Sequence, residues 1–167
     1  VNLNARTITS DALYNNSPCT ESTIESDADY CTQLKQENRH AFKVASALSK
    51  TTPLPVNQFS ETEKDHGRIT QRNIKIYPIS PFEANLSHAQ TLIVIQRCVE
   101  EKGKDSDDTS FYISSHPITR GVKYFATLIR GHWNGCEIQN HWNRDANLGE
   151  DKTRIRDFNI NCNLSSL

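Results

Sequence analysis

The spacing of apolar and polar positions changes period several times along the chain. Thr7-Ile8-Thr9 is β-branched and runs straight into Asp11, the pattern of a short strand that ends in an acid. Ser17-Pro18 then predicts a helix start: serine can cap, proline fits the first turn, and Glu21 suits the positive end of the dipole. A helix over roughly 18–28 would lead into a second strand near Tyr30–Leu34. Ala41, Val44, Ala45 and Leu48 recur at i, i+3, i+4 and i+7, which predicts a second, amphipathic helix over roughly 37–49. The order βαβα belongs to mixed or parallel sheets covered by helices.

Two near-adjacent prolines in Thr51-Thr52-Pro53-Leu54-Pro55 end that pattern. The next segment reads as strands: Arg68–Tyr77, with Ile74 and Ile76 alternating, and the β-prone run Thr91–Val99. Glu100–Asp108 reads as a polar, charged connection before a returning strand at Thr109–Ser115, so a hairpin is expected. After Pro117 the helical period resumes, with Val122, Phe125, Ala126 and Ile129 on one stripe. That helix is predicted to run past Trp133 to about Asp145. No repeat of solenoid length is present.

Composition narrows the picture. The 167 residues contain no methionine, so Val1 is not expected to be a natural start and the chain reads as a piece of something larger. No segment has a signal-peptide layout, and the longest apolar run, around Leu92–Ile95, is far too short to cross a bilayer. A soluble, cytoplasmic protein without membrane contact is expected. Five cysteines (Cys19, Cys31, Cys98, Cys136, Cys162) are scattered and never form a C-x-x-C pair, which predicts reduced thiols rather than a disulfide framework or zinc knuckle. A net charge of −1 offers no global attraction to nucleic acid, leaving local basic patches to do any such work. A mean hydropathy of −0.67 predicts a thin core, or one completed by partner segments.

The densest polar constellation runs from Arg130 to Asp145. On a helix, Glu137, His141 and Arg144 stand at i, i+4 and i+7 and share one face, with Trp133 and Arg130 one and two turns earlier. Spacing alone is equally served by ion pairing on a surface helix with buried tryptophans.

Several blocks together resemble a known family. Ile129-Arg130-Gly131-His132-Trp133, Glu137, His141-Trp142, Arg144-Asp145, Glu150-Asp151 and Arg154-Ile155-Arg156 follow the order of one C-terminal signature. Upstream stand His66-Gly67-Arg68-Ile69 with Arg72, the strand Phe111-Tyr112-Ile113-Ser114-Ser115, Ile8-Thr9-Ser10-Asp11-Ala12-Leu13, and Asp29-Tyr30 with Lys35. In these five blocks, which cover most of the chain, the sequence resembles the DDE transposases of the ISAs group of bacterial insertion sequences, also called H-repeat-associated proteins.

The resemblance implies an α/β, ribonuclease-H-like mixed sheet with helices, incomplete at its N-terminus. Residues 1–50 would belong to the catalytic core, 51–116 to a β-rich insertion, and 117–167 to the last catalytic helix and tail. Asp11 would be the second catalytic acid and Glu137 the third, both ligating Mg²⁺ or Mn²⁺ in the intact family, a full metal pair that two acids alone do not hold. Hard divalent ions prefer carboxylate oxygens, and two of them about 4 Å apart can activate an attacking oxygen and stabilise a leaving one. The attacker is first water, then a DNA 3′-hydroxyl. Arg130, His132, His141, Arg144, Lys35, Arg68 and Arg72 would contact DNA phosphates at the insertion-sequence ends, which positions DNA without reading its sequence. A homo-oligomer with intact transposase is the implied assembly.

Three departures qualify the match. The family's first catalytic aspartate lies upstream of Asp11, so these residues hold two acids of three. Asn134-Gly135-Cys136 places three residues where the family has two, and one extra helical residue rotates what precedes it by about 100° unless a bulge at Gly135 absorbs it. Gln36-Glu37-Asn38-Arg39, Thr70-Gln71 and Asn147-Leu148 also depart from the family's residues. The expectation is a truncated copy, inactive by itself. Two other readings compete. A histidine-based metal nuclease is disfavoured because His132 and His141, nine apart, fall on nearly opposite helix faces. A non-catalytic DNA-binding or interaction remnant is the other alternative, and the missing acid is its support.

Overall fold

A computed structural model describes residues 4–35, 39–51, 54–65 and 67–133, with Arg39 described by its backbone alone. They form a mixed α/β arrangement of six strands and four helices: β1 (Thr7–Ser10), α1 (Ser17–Glu25), β2 (Asp29–Leu34), α2 (Arg39–Thr51), β3 (Asn57–Asp65), β4 (Arg68–Pro78), α3 (Pro81–Ala84), β5 (Thr91–Glu101), β6 (Lys104–Ser114) and α4 (Val122–His132). All six strands join one sheet in the order β1-β2-β6-β5-β4-β3, with β1 parallel to β2 and every other pair antiparallel. The sheet and its helices, with α4 as far as Leu128, make one compact unit. Ile129–Leu167 make a second, whose described residues finish α4 and reach Trp133. No described helix is long and apolar enough to cross a membrane.

The strand-helix-strand opening follows the apolar pattern closely, with one change at a cap. Asn16, not Ser17, precedes α1 and accepts the Cys19 N–H at 3.1 Å, so Ser17-Pro18 form the first turn. In α2 the residues at the helical spacing turn inward: Ala41 and Ala45 are buried, and Val44 and Leu48 pack beside them. Alanine at these two positions lets α2 lie close against Tyr77, Leu92, Val94, Phe111 and Ile113, which alternate onto one face of the sheet.

The expected connection at Glu100–Asp108 is corrected. Strand β5 continues to Glu101 and β6 begins at Lys104, joined by Lys102-Gly103 alone, both with positive φ (52° and 72°). That is the two-residue hairpin turn whose twist matches paired strands, and glycine takes the second left-handed position without strain. Polar residues dominate there because the distal halves of β5 and β6 are mostly exposed on both faces, not because pairing stops.

The opposite face of the sheet carries Ile74, Ile76, Ile93 and Tyr112. Here the 3-10 turn Ile118–Arg120 meets β4, and α4 lays Lys123 over the Phe59 ring, whose ladder partner is Ile74. Phe125, fully buried, anchors this part of α4.

A buried polar knot closes the junction between β1, β2, β6 and α4. His116 is 3% exposed; its Nε2 lies 2.8 Å from the Thr7 hydroxyl and 2.9 Å from that of Tyr124, and its Nδ1 lies 3.3 Å from Asp29. The arrangement fits a neutral imidazole whose Nδ1–H points at the carboxylate while Nε2 accepts from a hydroxyl. Burial holds its pKa below the ordinary histidine value; Asp29 pulls the other way and Arg120 lowers it further.

Two outcomes follow from these elements. Because the folded His116 titrates lower than the unfolded one, its contribution is complete above the unfolded value of about 6.5 and is lost as pH falls from there through the folded value. The stability gap between the native chain and His116→Gln should therefore narrow between pH 7.5 and pH 5 in denaturant titrations; a gap independent of pH would contradict the assignment. Replacing the α1 cap by Asn16→Ala should cost about 1 kcal/mol, measured in the same way.

Candidate active site

Asp11 is set at the open end of β1 by local rules. Its backbone stays extended (φ −70°, ψ 166°), and its carboxylate accepts the Ala12 N–H, which starts the 3-10 turn Ala12–Tyr14. The turn is tied to β2 at two points. The buried Thr32 hydroxyl donates to the Asp11 carbonyl at 3.4 Å, and the Asn15 side-chain amide donates to the Gln33 carbonyl at 3.2 Å. Asn15 is itself buried, and among the described residues its Oδ1 has no hydrogen-bond partner. Leu13 and Tyr14 stand exposed beside the acid.

Register fixes which way Asp11 looks. Ser10 lies in the row Thr32, Ile113, Leu92, Tyr77, on the face that α2 covers. One residue on, an extended chain turns Asp11 into the row Gln33, Tyr112, Ile93, Ile76. That is the face on which residues 122–128 of α4 pack. Lys35, two residues past Gln33, reaches the same place: its ammonium lies 3.0 and 3.4 Å from the two oxygens of Asp11. Both side chains are about half exposed, 50% for the lysine and 45% for the acid. An ion pair this open to water is worth about 0–1 kcal/mol, so a stronger cation can displace the lysine. Asp11 supplies the hard oxygen donor that Mg²⁺ or Mn²⁺ requires. Among the described residues no group of three or more histidines, cysteines or acids is placed to hold a metal.

The remaining candidates fall into three places. Arg68 and Arg72 lie on β4, with β5, β6 and β2 between them and β1. Both engage carboxylates of the sheet: Arg72 meets Glu63 at 2.6 Å and Glu61 at 3.6 Å, and Arg68 reaches Glu101 at 4.0 Å. Arg97 faces Arg72 across the ladder, and its pKa is lowered by burial and then by the neighbouring Arg68 and Arg72. Arg130 and His132 occupy the last turn of α4, where cations suit the helix dipole, and the His132 ring meets Trp133 edge-on. Glu137, His141 and Arg144 lie outside the described residues, as does the three-residue spacing at 134–136.

Two of the sequence blocks meet in space, a feature that spacing along the chain did not reveal. Ser115 donates to the Asp29 carboxylate at 2.7 Å and accepts the Tyr30 N–H at 2.9 Å, while Ser114 donates to the Tyr30 carbonyl at 2.7 Å. Asp29-Tyr30 and Ser114-Ser115 are therefore structural partners that hold β2 against β6. Short polar residues at a strand end, next to His116, were the available signal. Cys19, Cys31 and Cys98 are free thiols, and burial pushes that of Cys31 up to about 12.

No family model matches the chain. In an alignment 166 residues long that covers 93% of the chain, it is 28% identical to a protein of Escherichia coli O157:H7 named "Putative transposase YncI", of which it spans 42%. The chain is thus similar, distantly but along most of its length, to a protein that carries a transposase name.

Proposed function

We propose that the chain is the catalytic-core portion of a DDE transposase of the ISAs insertion-sequence group, on a ribonuclease-H-like sheet. The observation that carries this reading is Asp11: a half-exposed carboxylate at a strand end, turned to the sheet face on which α4 packs. Glu137 follows α4 by a few residues in the chain and is the second carboxylate of the pair. The distant likeness to a protein with a transposase name supports the same reading.

In this reading Asp11 and Glu137 share a divalent ion, Mg²⁺ or Mn²⁺, which when bound activates the attacking oxygen and stabilises the leaving one. The chain's own residues hold and balance that charge. The turn anchored by Thr32 and Asn15 keeps the Asp11 carboxylate at the strand end. Lys35 neutralises Asp11 while no metal is present, then becomes available to a DNA phosphate. Arg130, His132, His141 and Arg144 approach further phosphates near Glu137, and Arg68 and Arg72 do so on the long hairpins. DNA of an insertion-sequence end is the substrate, and the assembly is a homo-oligomer with intact transposase. With two of the family's three catalytic acids in these 167 residues, metal-dependent strand cleavage by them alone is not expected.

Paramagnetic broadening by Mn²⁺ tests the pairing in the chain as it stands. Substoichiometric Mn²⁺ should broaden the amide signals around Asp11 and those around Glu137 together, and either Asp11→Asn or Glu137→Gln should abolish both effects. Lys35→Gln removes a competing cation and should tighten Mn²⁺ by up to about fivefold, the most that an exposed pair is worth. Broadening confined to one of the two segments, or unchanged in both variants, would overturn the proposal.

A further inference from the structure

On the face away from Asp11, α2 leaves a cavity of about 370 Å³ between its C-terminal half and the central strands. This is within the size range of small-ligand sites. Its contents are uneven in a telling way. Phe42 and Phe111 form one wall as an edge-to-face pair with ring centres 5.2 Å apart. Two ammonium groups, Lys50 from α2 and Lys75 from β4, belong to the lining, and no described residue of that lining is acidic. In a chain of net charge −1, a cavity with two cations and no acid is locally electropositive.

Tyr77, 3% exposed, also lines the cavity. Its phenol can donate a hydrogen bond to a ligand oxygen. Among the described residues Lys75 bonds the neutral side-chain oxygen of Gln96, 3.1 Å away, a weaker acceptor than an anion. Lys50, in the last turn of α2, already faces the negative end of that helix. Lys75 is accordingly the cation with the most to gain.

We propose that this cavity binds one nucleotide unit. Its phosphate pairs with Lys75 and Lys50, its base lies against the Phe42–Phe111 wall, and Tyr77 donates to an oxygen of the base or sugar. An aromatic wall and an electropositive rim are what nucleotide recognition requires of a protein. The proposal does not depend on the transposase reading, since it concerns the opposite face and different residues.

Titration of the isotopically labelled chain by NMR tests it, with thymidine 5′-monophosphate, thymidine, inorganic phosphate and a single-stranded thymidylate oligomer as separate probes. The monophosphate should shift the amides of Phe42, Lys75, Tyr77 and Gln96 saturably, whereas thymidine or phosphate alone should bind at least about tenfold more weakly. Saturation by the oligomer but not the mononucleotide supports the same site with the strand as carrier. Lys75→Gln and Tyr77→Phe should each weaken binding by about fivefold, the worth of one hydrogen bond, and Tyr77→Phe keeps the aromatic ring that packs in the core. No saturable shift with either nucleotide carrier at millimolar concentration would overturn the site. So would phosphate binding as tightly as the nucleotide, or both variants binding as the native chain does.

Discussion

The pairing of β2 with the end of β6 is the constraint on which the rest depends. It welds a parallel piece, β1–α1–β2, to an antiparallel meander whose strands lie in a separate stretch of sequence. Four ladder pairs, Cys31 with Ser114 through Leu34 with Phe111, set the register. The hydroxyls of Ser114 and Ser115 lock it by bonding Tyr30 and Asp29. A slip of one residue would turn Tyr30, Thr32 and Leu34 out of the core and swing Asp11 to the other face. The same knot, through His116, Thr7 and Tyr124, ties α4 to β1. One polar junction thus decides both where the acid points and where the helix begins.

That geometry gives the sheet two unlike faces. The α2 side has a dense apolar core near α3 and an incompletely filled, electropositive notch beyond it. The α4 side carries Asp11, Lys35 and the arginines of β4, most of them balanced by nearby carboxylates. An acid held at a strand end by backbone contacts and paired with a half-exposed lysine is cheap to re-pair. An acid buried in a strong ion pair would not be, because breaking such a pair leaves a desolvated charge. Openness to water is therefore what would let a cation reach Asp11 at the candidate site.

Much of the fold was legible in the chain because local pattern and tertiary need agree there. The strand ending in Asp11, the stripe Ala41, Val44, Ala45, Leu48 and the alternation Ile74, Ile76 each appear as the sequence predicts. The long hairpin was misjudged where they disagree. Residues 100–108 are charged because two-sided exposure asks for polar side chains, and a turn of Lys102-Gly103 needs no loop. Pairing of β2 with β6 was illegible for another reason: it joins residues some 80 positions apart through serine hydroxyls that carry no periodic signal. At the candidate site, the acid at the strand end was readable. Its counter-ion Lys35 stood out only through the resemblance, as a phosphate contact, and Asn15 gave no signal at all.

The central claim is that a carboxylate from the first strand and one beyond the last described helix serve a single ion. Anomalous diffraction from Mn²⁺-soaked crystals of the chain tests it most directly. The account predicts a manganese peak with carboxylate oxygens of both Asp11 and Glu137 in its coordination sphere and the Lys35 ammonium displaced from Asp11. A peak ligated by other residues, or Asp11 still paired with Lys35 while Glu137 stands apart from it, would contradict the account.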